Sequence, residues 1–147
     1  MMKKTILSFA VATALIAPTA FAEAPIASVD DALKAGSDYG IQYYKEFEFD
    51  DDSSVEIEGW VDDEWFVEIN VSSNGDVTHE ERKRRVDGPW GMQENDVRQA
   101  VEAAKSNGMT TIDEISIESD GYIEVEGEDD NGHDVDFRSD KPVSNKS

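Results

Sequence analysis

The sequence contains no cysteine, only two histidines, and 13 lysines and arginines against 34 aspartates and glutamates. Each shortage excludes something. Without cysteine there is no disulfide, no thiol nucleophile and no N-terminal Cys to carry a lipid, so a small domain of this kind must hold together by core packing. His79 and His133, with no His-x-x-x-His spacing and no thiolate, make no zinc ligand set. The formal net charge of −21 leaves no basic footprint for nucleic acid or an anionic membrane. No Gly-x-Ser-x-Gly elbow and no phosphate-cradling glycine loop is present, and no cofactor is expected. After residue 22 no apolar run approaches the ~20 residues a bilayer span needs.

What is present begins with a leader. Lys3 and Lys4 form a basic start, Thr5 to Ala17 an apolar run, and "AFA" (Ala20 to Ala22) a small-x-small cleavage pattern. Residues 1–22 are therefore expected to be a bacterial export signal, and the mature protein to be periplasmic or secreted, without membrane insertion. Two of the 13 cations lie in the leader, so the mature chain is still more acidic. That balance suits a cationic partner, metal ions or salty surroundings.

The mature chain repeats itself. An offset of 68 residues lays Ser28–Ile69 over Asp96–Phe137 without a gap. Gly40 meets Gly108, Gly59 meets Gly127, Glu46 meets Glu114, and Glu56 and Glu58 meet Glu124 and Glu126. Each copy reads as a helix followed by strands. Val97, Ala100, Val101 and Ala104 share a stripe, with Asn95 or Asp96 as cap and Asn107-Gly108 as stop. The earlier helix runs from Ser28 to Gly40. Period-2 alternation predicts strands near 46–50, 55–61, 65–71 and 76–81, then 113–118, 122–128 and 133–138. "SSNGDV" and "DDNGHD" centre on Asn-Gly, which predicts type I′ hairpin turns. The expected layout is repeat 1 over 23–85, a linker over 86–92, repeat 2 over 93–140 and a flexible tail over 141–147. The fold class is α+β, with each repeat one helix packed on an antiparallel sheet of three or four strands.

A helix ending in Gly, followed by "IDEISIESDGYIEVEGEDDNGHDVDF", resembles the PepSY domain family, most closely over Val97–Phe137. The first copy departs from the pattern, with Ser53-Ser54 where the second has Gly121-Tyr122. The resemblance implies a helix-on-sheet fold and an exported binding or regulatory module, with peptidase inhibition as the role suggested for the family. The tandem layout is also similar to β-lactamase inhibitor protein, on architecture alone.

Candidate chemistry is sparse. An EF-hand loop with Gly132 sixth would place Gly127 first and Arg138 twelfth, so it fails. With Gly75 sixth, Asn70, Ser72, Asn74, Thr78 and Glu81 fall at ligand positions, which supplies one carboxylate. Hairpin turns explain both glycines better, leaving only weak, diffuse binding of divalent cations to the carboxylates. With 34 acids any catalytic pair can be nominated, so none is informative, and no enzyme is expected.

The sheet face carries more. If Phe47, Phe49, Val55, Ile57, Val67 and Ile69 face the helix, then Glu46, Glu48, Glu56, Glu58, Trp60, Phe66 and Glu68 face away. In the second copy Ile115, Ile117, Ile123, Val125, Val135 and Phe137 point inward. Glu114, Glu118, Tyr122, Glu124, Glu126, Asp134 and Asp136 point outward. The candidate partner-binding residues are Trp60, Phe66, Glu56, Glu58, Tyr122, Glu124 and Glu126, as exposed aromatics ringed by carboxylates. "RKRR" (Arg82 to Arg85) is expected to end a strand and neutralise nearby acids, and Trp90 to plug the joint between copies. The expected function is an exported, non-enzymatic binding module that inhibits or regulates a protein partner, such as a peptidase or a cationic protein. The alternative is an acidic cation-binding or salt-adapted protein without a specific protein partner.

Overall fold

The helices form where apolar residues recur at helical spacing. In the computed structural model, which describes residues 24–25 and 28–144, α1 spans Ser28–Tyr39 and α2 spans Glu94–Ser106. The expected leader lies outside the described residues. Helix α2 begins slightly earlier than its sequence suggests: Gln93 precedes it, and the Gln93 backbone N–H donates to Asp96 Oδ2 at 2.9 Å. Both helices bury one stripe, Val29, Ala32 and Leu33 in α1 and Val97, Ala100, Val101 and Ala104 in α2.

The strands are β1 (Ala24–Pro25), β2 (Tyr43–Phe49), β3 (Val55–Trp60), β4 (Trp65–Val71), β5 (Val77–Arg84), β6 (Thr111–Ile117), β7 (Ile123–Glu128) and β8 (Asp134–Arg138). They make one antiparallel sheet. Seven follow the order β5-β4-β3-β2-β6-β7-β8, and β1 adds to β6. The inward residues of the strands and the helix stripes share one core, with Phe47, Ile57, Val67, Ile69, Ile115 and Val125 fully buried.

The two halves meet at β2 and β6, where Phe47 pairs with Ile115, its counterpart 68 residues on. The same offset recurs in local geometry. The ladder slips at Tyr44/Glu46 and again at Ile112/Glu114. A Cβ on Gly59 would lie 2.4 Å from the Tyr43 carbonyl oxygen, and one on Gly127 would lie 1.9 Å from that of Thr111. Asp30 of α1 pairs with Arg98 of α2, again 68 apart. Gly36 leaves room for Tyr44, whose ring would sit 2.7 Å from an added Cβ; the corresponding pair is Ala104 and Ile112.

Three details differ from the sequence expectation. The Asn-Gly hairpins are not type I′, because only the glycines, Gly75 and Gly132, have positive φ. Gly75 N–H donates to Ser72 O and Gly132 N–H to Asp129 O, which makes three-residue loops with the glycine in the left-handed position. The β2–β3 and β6–β7 turns repeat this pattern, with Ser53 (φ 66) and Gly121 (φ 89) in that position. The tail does not fray at Lys141: Val143 is 8% exposed within the core, and its N–H donates to Gly121 O at 2.8 Å. The end of the linker is paired to β2, with Tyr44 and Met92 exchanging backbone hydrogen bonds at 2.7 and 2.8 Å. Trp90 packs against the core, and Lys45 Nζ stands 3.0 Å from its ring centroid.

Candidate functional site

Alternation along each strand sends half of its side chains away from the helices. The register then lines them up across the sheet in two rows. One row reads Glu81, Glu68, Glu58, Glu46, Ser116, Glu124, Arg138 from β5 to β8. The other reads His79, Asn70, Glu56, Glu48, Glu114, Glu126, Asp136. Ten of these fourteen positions are carboxylates. Directly opposed like charges repel across a ladder, so this face is held together by the core behind it rather than by its own side chains.

The electrostatic consequence is sharpest where the halves join. Glu46 is half-buried on β2, between Glu58 and Ser116 in its row and close to Glu48 and Glu114 in the next. Burial first, then repulsion from Glu114 and Glu58, pushes its carboxyl up to about 7. Burial and the neighbouring acids also raise Glu56, Glu58 and Glu126, although Arg85 and Lys83 partly offset the effect at Glu58. Glu124 is raised chiefly by its hydrogen bond with Glu118. One carboxylate oxygen each from Glu56, Glu58 and Glu68 lies within 4.8 Å of the others. That spacing can hold one side of a hard cation, which takes six to eight oxygens in the case of calcium.

Of the expected site residues, the structure brings Glu56, Glu58, Glu124 and Glu126 onto one face, which no helix among the described residues covers. Trp60 and Phe66 share that face but are not exposed; they are 1% and 4% accessible. This corrects their assignment as accessible anchors. Trp60 pairs with Tyr43 on one side and Phe66 on the other, the two rings meeting edge to face at 5.7 Å. Strand β5 extends further than its alternation suggests, which places Lys83 opposite Phe66 and lays the Arg85 guanidinium 4.0 Å from the Phe66 ring centroid. Long cationic stems cover aromatic surface while their charged ends stay in water. Trp60 and Phe66 are therefore covered by neighbours on β3, β4 and β5 and do not stand out as exposed aromatics. Tyr122 is half-buried, under Arg138 at 4.6 Å, and Arg138 also bonds Asp120 at 2.6 Å.

The "RKRR" run is engaged throughout. Arg82 bonds Glu80 and the Tyr39 hydroxyl, Arg84 bonds Glu64, and Lys83 and Arg85 act on Glu58. The residues that sequence reasoning left out of the site are Glu46, Glu48 and Glu114. Their outward direction was readable, but their juxtaposition follows from the β2–β6 pairing, which alternation cannot specify.

No helix among the described residues is long and apolar enough to cross a membrane. No known family profile matches the chain, and neither does any curated protein. Among solved structures, the chain is similar to a "putative lipoprotein" of Clostridium difficile 630, with 13% identity over 80% of this chain and 94% of that one and a TM-score of 0.40. The resemblance to the PepSY family accordingly rests on the residues quoted for it.

Proposed function

We propose that the protein is an exported, non-enzymatic binding module whose uncovered sheet face docks a cationic protein partner and regulates it. In this reading the chain is two copies of one helix-and-sheet unit, residues 23–85 and 93–140, fused through β2 and β6 into a single platform. The shared ladder slips, the paired glycines and the Phe47–Ile115 contact support the duplication. The observation that carries the function is the pair of carboxylate rows, which run across both units and, after burial as the larger cause, help push Glu46 up to about 7. A partner supplying lysines and arginines would relieve that repulsion as it binds, so the same charges that cost stability favour association. A peptidase under inhibition is the partner class that the PepSY resemblance suggests.

The test is capture from a periplasmic extract by three proteins: wild type, a Glu58→Lys/Glu126→Lys variant, and an Asp62→Lys/Asp63→Lys control with the same charge change in the β3–β4 turn. Capture should be lost for the face variant, kept for the control, and weakened by salt. Equal capture by both variants would refute the docking face. A captured peptidase should also lose activity in the complex.

A second reading has its own observation, the three carboxylates of Glu56, Glu58 and Glu68 within 4.8 Å. In it, the face buffers divalent cations and needs no protein partner. Calorimetric titration with calcium that shows saturable heat, together with melting that rises steeply with salt and no captured protein, would favour this reading.

A further inference from the structure

We propose that the groove between α1 and the β2–β3 and β4–β5 turns is a seat for a short extended peptide of a partner: a glycine followed by a branched apolar residue, on a positively charged segment. The groove has a volume of about 470 Å³ and lies on the helix side of the sheet, away from the carboxylate rows. Ala32, Ala35, Phe49, Val55 and Val71 give it an apolar floor, and Ser53 forms part of its rim.

The second unit shows what such a place holds. There, Lys141, Pro142 and Val143 fold over the end of the sheet. The Val143 N–H donates to the Gly121 carbonyl at 2.8 Å, and its side chain is buried in the core. Gly121 corresponds to Ser53, and Ile117, Ile123 and Ala100 correspond to Phe49, Val55 and Ala32. In the first unit the residues corresponding to 140–143 are Ser72 to Gly75. They turn away into β5, with Ser72 N–H donating to Asp76 O and Gly75 at φ +85. Among the described residues, the first unit's groove is left open where the second is filled. Water against an apolar floor is displaced favourably by a branched side chain.

Two features set the specificity. A Cβ on Gly121 would lie 3.2 Å from Pro142 Cβ, tight for two carbons. Ser53 carries that Cβ, so any residue with a Cβ of its own, proline and alanine alike, is crowded at this seat, and glycine fits. The groove is also lined by Asp31 and Asp38 against one lysine, Lys34, and the acidic run Asp50–Asp52 precedes Ser53. A cationic segment is the complement.

The correspondence rests on the two-unit reading under Proposed function. The docking face is tested by Glu58→Lys/Glu126→Lys on the other side of the sheet, so the two ideas fail independently. The probe is the end-blocked peptide Lys-Gly-Val-Ser-Asn-Lys-Ser, titrated into the isotope-labelled full chain and followed by amide NMR shifts. Saturable shifts are expected at Ala35, Ser53, Val55 and Val71. Replacing the peptide valine with aspartate should weaken binding at least tenfold, as expected for losing one buried branched side chain. A peptide with alanine in place of glycine should bind more weakly to wild type and as well as the glycine peptide to a Ser53→Gly variant. Ala35→Trp, filling the groove from α1, should abolish the shifts; if it does not fold, Asp31→Lys/Asp38→Lys should weaken binding instead. The proposal is overturned by an absence of saturable shifts, by equal binding of the aspartate peptide, by shifts centred on Gly121, or by a Ser53→Gly variant that leaves the glycine-over-alanine preference unchanged.

Discussion

Glu46 should destabilise the folded chain at neutral pH, and replacing it with glutamine should make the protein more stable. Its carboxyl moves from an ordinary 4.5 to about 7 on folding, because it is half-buried among Glu114, Glu58 and Glu48. A raised carboxylate pKa means that the folded state holds its proton more tightly than the unfolded chain. The associated stability is fully present below about pH 4.5 and is lost as pH rises through 7. One pKa unit corresponds to ~1.4 kcal/mol, so full conversion would give ~3 kcal/mol; solvent screening of a half-buried group reduces this to about 1–2 kcal/mol. Glu46→Gln removes the charge and keeps the shape. Urea unfolding at pH 8 should show a gain of about 1–2 kcal/mol, or roughly 3–8 °C in melting temperature for a domain of this size. At pH 4.5 the two proteins should differ far less. Wild type itself should gain stability from pH 8 down to about pH 5. Below about pH 4 it should lose stability, because hydrogen bonds from Ser54, from the Tyr122 N–H and from the His133 N–H hold Asp52, Asp120 and Asp129 below their ordinary 3.8. Those three stabilise above 3.8, and that contribution disappears as pH falls through their lowered values. If Glu46→Gln is destabilising at pH 8, or is equally stabilising at both pH values, the repulsive-junction argument fails.

Other outcomes follow from particular contacts. Ser53→Gly should stabilise by about 0.5–1 kcal/mol, since relief of the left-handed backbone at φ 66 exceeds the entropy glycine adds to the unfolded chain; a loss in thermal melting would contradict this. Gly127→Ala should cost about 3 kcal/mol or more, because its Cβ would sit 1.9 Å from the Thr111 carbonyl oxygen on the paired strand; denaturant titration checks it, and a neutral result would show that the slipped ladder relaxes. Trp60→Ala should cost about 3–5 kcal/mol as a buried aromatic. Trp60→Phe should leave partner capture at wild-type level, and loss of capture would return Trp60 to the docking surface. Val143→Ala should lower stability by about 1–2 kcal/mol in the same unfolding assay, as loss of a buried side chain rather than of a tail residue.

The inward and outward sets of the strands were legible because period-2 alternation is a local property of the chain. Phe47, Ile57, Val67, Ile69, Ile115 and Val125 are buried, and the glutamates between them face the other way. Helix positions were legible for the same reason, from the stripe Val97, Ala100, Val101 and Ala104. Trp60 and Phe66 were misjudged because alternation specifies a face and not what covers it. Their cover comes from the end of β5, residues 82–84, which runs past the 76–81 that alternation predicts and forms by pairing with β4, and from Arg85 beyond it.

The sequence by itself determined the helices, most of the strands, the 68-residue correspondence and the excess of carboxylates on one face, because each depends on neighbours within a few residues or on a spacing repeated along the chain. Tertiary structure decided the rest. Pairing of Phe47 with Ile115 joined the two halves into one sheet and brought Glu46, Glu48 and Glu114 together. Closure of Lys83 and Arg85 over Phe66 removed the aromatics from the surface, and Val143 folded into the core with its N–H on the Gly121 carbonyl. Each of these contacts links residues far apart in the chain, and its free energy depends on which surfaces the whole fold leaves available, information that local periodicity does not carry.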